Sequence, residues 1–386
     1  MTSSRNELPL RVLIAGGGVA GLETMMALHE LAGPRVSVTL LCPTTEFVYK
    51  PLSVREAFGA GTASRHPLER IAADFGAELR HDSLSWVAPG QHAAFTESGA
   101  EIEYDVLVIA LGARRERPFE HVTTFAGGDD SESIHGLVQD VEAGYIRRLA
   151  FVVPPGVTWP LPLYEMALMT AARAREMNVA PQITFVTPEE SPLAVFGPEA
   201  STDVRAMLDR DGIDVLTGAY ADVSHGRTVS IHPSGEELEV DRVVAVPTLH
   251  GIAPRGIPAD SQGFIPTDNH GRVTGVADVY AAGDGVQFPV KQGGIATQQA
   301  DAVAEVVAKR AGAAIEPRAF RPVMRGRLFT GSGDRYLRGE VSRGRDGVSQ
   351  SAQTALWWPP TKIAGRYLSS YLGSADAVPA MTEARR

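Results

Sequence analysis

Three glycines near the amino terminus are spaced as Gly16-x-Gly18-x-x-Gly21. They follow the apolar run Val12-Leu13-Ile14-Ala15 and precede an Ala- and Leu-rich stretch. Strand, tight turn and helix in that order aim backbone N–H groups and the positive end of a helix dipole at whatever anion rests on the turn. The glycines have separate tasks. Gly16 permits the turn, Gly18 lets phosphate reach the main chain, and Gly21 lets the helix close on the strand. Val19 and Ala20 open the helix. The chemistry is that of holding the diphosphate of a dinucleotide.

Two later segments extend this site. Tyr104-Asp105-Val106-Leu107-Val108-Ile109-Ala110-Leu111-Gly112-Ala113 reads as a buried strand ending in a glycine turn, which brings in Ala110 and Gly112. Ala277-Asp278-Val279-Tyr280-Ala281-Ala282-Gly283-Asp284-Gly285 reads as another. Lys291-Gln292-Gly293-Gly294-Ile295 follows it and leads into a helix expected over residues 296–311.

Together the three segments resemble the pyridine nucleotide-disulfide oxidoreductase superfamily, and within it the sulfide:quinone oxidoreductases and type II NADH dehydrogenases. The resemblance runs to about Gly312, and the late Gly283-Asp284 element is its most specific part. It implies FAD as cofactor, with Asp284 accepting hydrogen bonds from the ribityl chain. It also implies that Lys291, Gln292, Gly293, Gly294 and Ile295 lie at the flavin's pyrimidine edge, where amides and a helix dipole stabilise the negative charge of a reduced flavin. Lys291 is thereby one candidate catalytic residue. Lys50, in Val48-Tyr49-Lys50-Pro51-Leu52, is a candidate contact to the ring system or the diphosphate. For both lysines a solvated surface side chain is the competing reading.

Three departures bear on function. First, a carboxylate at the end of the second strand ordinarily holds the adenosine ribose, but after Val36-Ser37-Val38-Thr39-Leu40-Leu41 the chain has Cys42. Thr44, Thr45 or Glu46 are the expected substitutes, and Cys42 reads as a small packing residue at the adenine side. Second, the strand Ala150-Phe151-Val152-Val153 is followed not by glycines but by Pro154-Pro155-Gly156-Val157-Thr158-Trp159-Pro160-Leu161-Pro162. Proline lacks the N–H that a phosphate needs, so NAD(P)H binding is not expected at this turn. Third, Cys42 is the only cysteine, so the thiols that carry sulfur to the flavin in sulfide:quinone oxidoreductases have no counterpart. Glu165 opens the following helix. It reads either as a general base or ligand contact, or as a glutamate favoured by the helix dipole.

The elements that must position these residues form an α/β protein: two Rossmann-like domains plus a C-terminal extension. The expected division is a glutathione-reductase-type FAD domain (residues 1–115 and 246–315), an inserted NAD(P)-like domain with a degraded glycine motif (116–245), and a tail (316–386). Strands are expected at 12–15, 36–41, 149–153, 182–187, 213–215, 228–231 and 238–246. The chain of 386 residues with 44% hydrophobic content has room for such cores. A net charge of −10 with mixed signs argues against a nucleic-acid partner. No apolar run reaches the roughly 18 residues of a spanning helix, and no metal site is expected, so the chain reads as cytoplasmic.

In the tail, Ile363, Tyr367 and Tyr371 repeat at helical spacing below Trp357-Trp358. This stripe suits a terminal helix packed on the FAD domain, a quinone tunnel, a membrane contact or a homo-oligomer face. Lys362 and Arg366 are its only positive charges. The functional reading is an FAD-dependent oxidoreductase acting between a small donor and a quinone-like acceptor without a cysteine persulfide. An NAD(P)H:acceptor oxidoreductase and a redox-quiet flavin-binding module are the alternatives.

Overall fold

The computed structural model describes residues 8–225, 227–340 and 348–376. A five-stranded parallel sheet is built in the order Val279–Ala281, Val106–Ile109, Leu10–Ala15, Val36–Leu41, Glu78–Arg80. Val106–Ile109 is buried at every position, so it reads as an unbroken apolar run rather than an alternation. Leu10–Ala15 sits in the middle with its successors on opposite sides. That reversal opens a crevice at the carboxyl ends of the strands, directly above the Gly16 turn. Helices Val19–Ala32 and Gly293–Arg310 pack on one face of the sheet, and the antiparallel strands Leu84–Ala88, Ala93–Thr96 and Glu101–Glu103 cover the other.

A second parallel sheet has the order Thr123–Thr124, Arg242–Ala245, Arg148–Val152, Gln182–Val186, Ile213–Leu216. Helices Ser131–Glu142 and Leu161–Glu176 lie on one face; Tyr220–Ser224, Thr228–His232 and Glu237–Glu239 form an antiparallel layer on the other. The single strand expected over 238–246 is two strands in different sheets, because the chain turns between Glu239 and Arg242. The chain enters and leaves this half side by side, as Ala113–Glu116 pairs antiparallel with Thr248–Gly251.

The tail holds structure that its Arg- and Gly-rich composition hides. Val323–Phe329, Asp334–Glu340 and Ser349–Ala352 form an antiparallel sheet. It presses Met324, Leu328, Phe329 and Leu337 into the core of the second half. Helix Leu368–Asp376 returns to the first half, burying Leu368 and Leu372. The expected stripe is only partly helical: Ile363 lies in the irregular approach, not on the helix.

Between the helices of the first half sits an acidic cluster. Burial and the neighbouring Glu23 push the Asp301 carboxyl up to about 8, and its Oδ1 has no hydrogen-bond partner among the described residues. Arg366, Glu305 and Arg318 also face it. With the folded value above the unfolded one near 3.9, Asp301 stabilises the fold fully below the unfolded value, and that contribution is lost as pH rises towards 8. Asp301→Asn, which mimics the neutral acid, is therefore expected to match wild type in thermal melts near pH 4 and to exceed it by a growing margin up to pH 8. A constant offset across that range would refute the assignment.

Candidate active site

A cavity of about 1740 Å³ runs from the Gly16 turn across the sheet's carboxyl edge to the tail. Small-molecule pockets usually span about 300–1,000 Å³, so a dinucleotide leaves room for a second ligand. At one end the turn is clamped: Gly16 N–H donates to Leu41 O at 2.8 Å and Ala110 N–H to Ala15 O at 2.8 Å. Gly16 has φ +117°, and a Cβ there would lie 2.2 Å from Ala110 O. A Cβ on Gly21 would lie 1.8 Å from Gly16 O. A Cβ on Gly18 would meet nothing within 4 Å, and the helix it begins has no capping side chain. Free helical amides with nothing built over them are the cradle that a diphosphate needs.

Along the cavity lie Val19, Ala20, Cys42, Lys50, Ala110, Gly112, Gly283, Asp284, Lys291, Gln292 and Gly293. Gly283 N–H is held at 2.8 Å by Gln299 Oε1 of the late helix, a partner that sequence spacing did not reveal. Among the described residues no hydrogen bond reaches the Asp284 carboxylate. Burial raises its pKa against the opposing pull of Lys291 and Arg115. An acceptor lining a cavity without a donor fits a polyol such as the ribityl chain. Lys291 is pushed down to about 8 by burial; its ammonium donates to Val286 O and sits 3.7 Å over the Phe264 ring.

Several expectations need correction. The late helix starts at Gly293, not residue 296, because Gln292 caps it: Gln292 Oε1 accepts from Ile295 N–H at 2.6 Å while Nε2 donates to Arg325 O at 2.8 Å. The Gln292 side chain is thus committed to the protein. Gly294 and Ile295 lie in the first turn behind the lining, and Gly21 lies behind the glycine turn. Cys42 is 5% exposed, with Sγ 3.3 Å from Thr44 Oγ1, and it packs under Gly17. Thr44 and Glu46 line the cavity beside it; Thr45 does not.

Glu165 does not face the cavity. It is fully buried, with both oxygens 2.5 Å from Lys362 Nζ and Oε1 accepting from Phe329 N–H at 2.9 Å. Burial raises the Glu165 pKa, with the lysine opposing. Lys362, which the sequence showed only as a positive charge of the tail, is the group that lines the cavity. Burial draws its pKa down against the pull of Glu165. The two are 197 residues apart, and no local pattern links them. Trp357 and Trp358 do not line the cavity. Trp357 packs on Tyr336, and Trp358 is 87% exposed.

The second glycine turn is replaced as the sequence implied. Val157 N–H turns back to Pro154 O, and Leu163 and Tyr164 N–H both bond Pro160 O. Glu189 follows the strand Gln182–Val186, where a ribose would be read in this fold. Its carboxylate is already filled from inside, by Tyr164 Oη at 2.7 Å and Thr187 Oγ1 at 3.0 Å.

The sequence profile described as pyridine nucleotide-disulphide oxidoreductase matches residues 10–300. The chain belongs to that family. FAD is its cofactor, and the family is one of flavin oxidoreductases. The sulfide-quinone reductase of Aquifex aeolicus is 27% identical over 186 residues, 46% of this chain and 43% of that protein. The mitochondrial sulfide:quinone oxidoreductase of Dictyostelium discoideum is 30% identical over 105 residues, only 26% of this chain and 23% of that one. The chain thus aligns with less than half the length of either. An NADH dehydrogenase-like protein of Mycobacterium tuberculosis is 27% identical over 295 residues, 71% of this chain and 72% of its own. Among solved structures, the sulfide:quinone oxidoreductase from Aquifex aeolicus superposes with a TM-score of 0.79 at 19% identity, covering 89% of this chain and 87% of that one. That likeness is one of fold. Among the described residues no helix is long and apolar enough to cross a membrane.

Proposed function

We propose that this protein is an FAD-dependent oxidoreductase that passes electrons between a small donor and a quinone-like acceptor, without a cysteine persulfide and without a bound nicotinamide dinucleotide. The observation that carries this reading is the asymmetry of the cavity of about 1740 Å³. One end has free helical amides over Gly18, whereas the other is lined by Pro155, Trp159 and Pro162 with no thiol among them, and the Glu189 carboxylate, which does not line it, is already filled. The names of its relatives, sulfide-quinone reductase and alternative NAD(P)H-ubiquinone oxidoreductase, support a quinone as one partner.

On this reading residues 1–115 and 246–315 hold the cofactor. The amides at Gly18, Val19 and Ala20 bind its diphosphate, and Gly16 and Gly21 give them room. Asp284 accepts from the ribityl hydroxyls. The late helix directs its N-terminus at Gly293 towards the ring's pyrimidine edge, with Lys291 beside it. Bound there, the flavin supplies hydride and electron transfer. Lys362 holds a proton at Nζ on the cavity wall, and Glu165 keeps the ammonium charged and fixed. The inserted half, residues 116–245, supplies the opposite wall.

Anaerobic mixing of the yellow holoprotein with NADH, NADPH, sulfide and a panel of hydroquinones tests the reading through flavin absorbance. Bleaching by a hydroquinone and reoxidation by a quinone, with no bleaching by saturating NADH or NADPH, is the expected result. Rapid bleaching by a nicotinamide would establish the NAD(P)H:acceptor alternative instead.

A further inference from the structure

The loop that replaces the second glycine turn is a finished surface rather than a damaged one. Pro155, Val157, Trp159 and Leu161 line the cavity with apolar groups. The Trp159 ring is held at 5.6 Å, near edge-on, by Phe196, which is fully buried. Phe196 is in turn seated by two glycines of the tail sheet. A Cβ on Gly326 would fall 2.5 Å from the Phe196 ring, and one on Gly339 would fall 2.7 Å from its Cα. The loop, the Phe196 segment and the tail thus lock one indole in place before any ligand arrives. A pre-fixed aromatic wall binds flat molecules without further ordering cost. Elsewhere on the lining, Arg327 and Lys362 present two cations, each oriented by a carboxylate. Asp334 accepts from Arg327 Nε at 2.7 Å, and Glu165 holds Lys362 at 2.5 Å.

We infer that the Trp159 wall is the binding surface for a flat aromatic redox partner bearing oxygen acceptors, of the quinone or hydroquinone class, and that the partner stacks on the indole with its oxygens towards the cationic side of the cavity. This rests on the oxidoreductase reading above and names the ligand class that its second compartment takes. Neither a diphosphate nor a hydrosulfide suits the wall. The first finds prolines where it needs amides, and the second finds no thiol and gains nothing from an indole.

The test titrates oxidised holoprotein with 1,4-naphthoquinone and with the redox-inert 2-naphthol, reading the perturbation of the flavin spectrum. Trp159→Ala is expected to weaken both by tenfold or more, equivalent to about 1.4 kcal/mol. Trp159→Phe, which keeps a ring, should stay within about threefold of wild type. Val157→Asp, which puts a charge at a second partly buried lining position, should weaken both as Trp159→Ala does, and a melting temperature matching wild type guards against a folding defect in either variant. Trp358→Ala, at an exposed position off the cavity, should change nothing. Bound FAD and melting temperature are recorded for each variant. Unchanged affinity in Trp159→Ala and Val157→Asp, or a loss confined to Trp358→Ala, would overturn the inference. If neither probe binds a wild type that is yellow and reducible by dithionite, the inference fails while the oxidoreductase reading stands. A colourless wild type would sink both.

Discussion

Glu23→Ala is expected to destabilise the protein by about 3–5 kcal/mol and to release its cofactor. Glu23 lies on the helix that begins at the glycine turn and is fully buried, away from the cavity lining. Its carboxylate accepts three consecutive amides of the tail: Arg366 at 2.6 Å, Tyr367 at 2.9 Å and Leu368 at 2.8 Å. It is thus a helix cap supplied from 345 residues away. Each buried donor left without an acceptor costs about 1–3 kcal/mol, less whatever water recovers. The segment it anchors carries Lys362 and Ile363 into the cavity. Ile363 sits where a Cβ on Gly293 would be, 2.8 Å away, and its N–H is held by Tyr49 Oη at 2.8 Å. Loss of the cap therefore loosens the wall against the late helix. Thermal melts, flavin release and limited proteolysis between residues 359 and 368 would read the effect. Glu23→Gln keeps one carbonyl acceptor and should recover part of it. Unchanged flavin retention in Glu23→Ala would mean that the tail is dispensable to the site.

Lys362→Met should cost about 3–5 kcal/mol, the usual penalty for stranding one partner of a buried ion pair. Glu165 would be left with a single donor, Phe329 N–H. Melting profiles against pH would then show Glu165 taking up a proton at a higher pH than in wild type, because the lysine's charge and hydrogen bonds lead the opposition to its desolvation, ahead of the Phe329 N–H. The double variant Lys362→Met/Glu165→Gln removes the stranded charge and should regain more than half of the lost stability. Turnover separates structure from chemistry. If Lys362 Nζ supplies a proton, both variants lose about tenfold or more in kcat, and the stability rescue does not restore it. Recovery of turnover together with stability would reduce the lysine to a structural ion.

The first half of the molecule was legible because its signals are local. Gly21 meets the Gly16 carbonyl five residues before it, Gly16 answers to the strand Val106–Ile109 whose apolar run is unbroken, and Gly18 starts the helix between them. The loss of the second turn was legible for the same reason, since Pro154, Pro155, Pro160 and Pro162 announce missing donors by identity alone. What was hidden is non-local. The Glu165–Lys362 pair, the Glu23 cap and the Gln299 contact to Gly283 join segments with no shared periodicity. Glu165 therefore stayed open between a ligand contact and a glutamate favoured by the helix dipole, and Lys362 was seen only as a positive charge of the tail. The tail misled in a different way. Ile363, Tyr367 and Tyr371 have the spacing of one helix, but Glu23 starts that helix only at Leu368 and turns Ile363 into a plug against Gly293. Of the readings open to the Trp357-Trp358 stretch, the tunnel is the one its position does not serve, since the indole that lines the cavity belongs to Trp159.

The cavity draws its floor from residue 16 and its far wall from residue 363. The pocket therefore exists only where segments that lie at opposite ends of the numbering have come together. A ligand bound across it adds stability to that state alone, by mass action on the folded form.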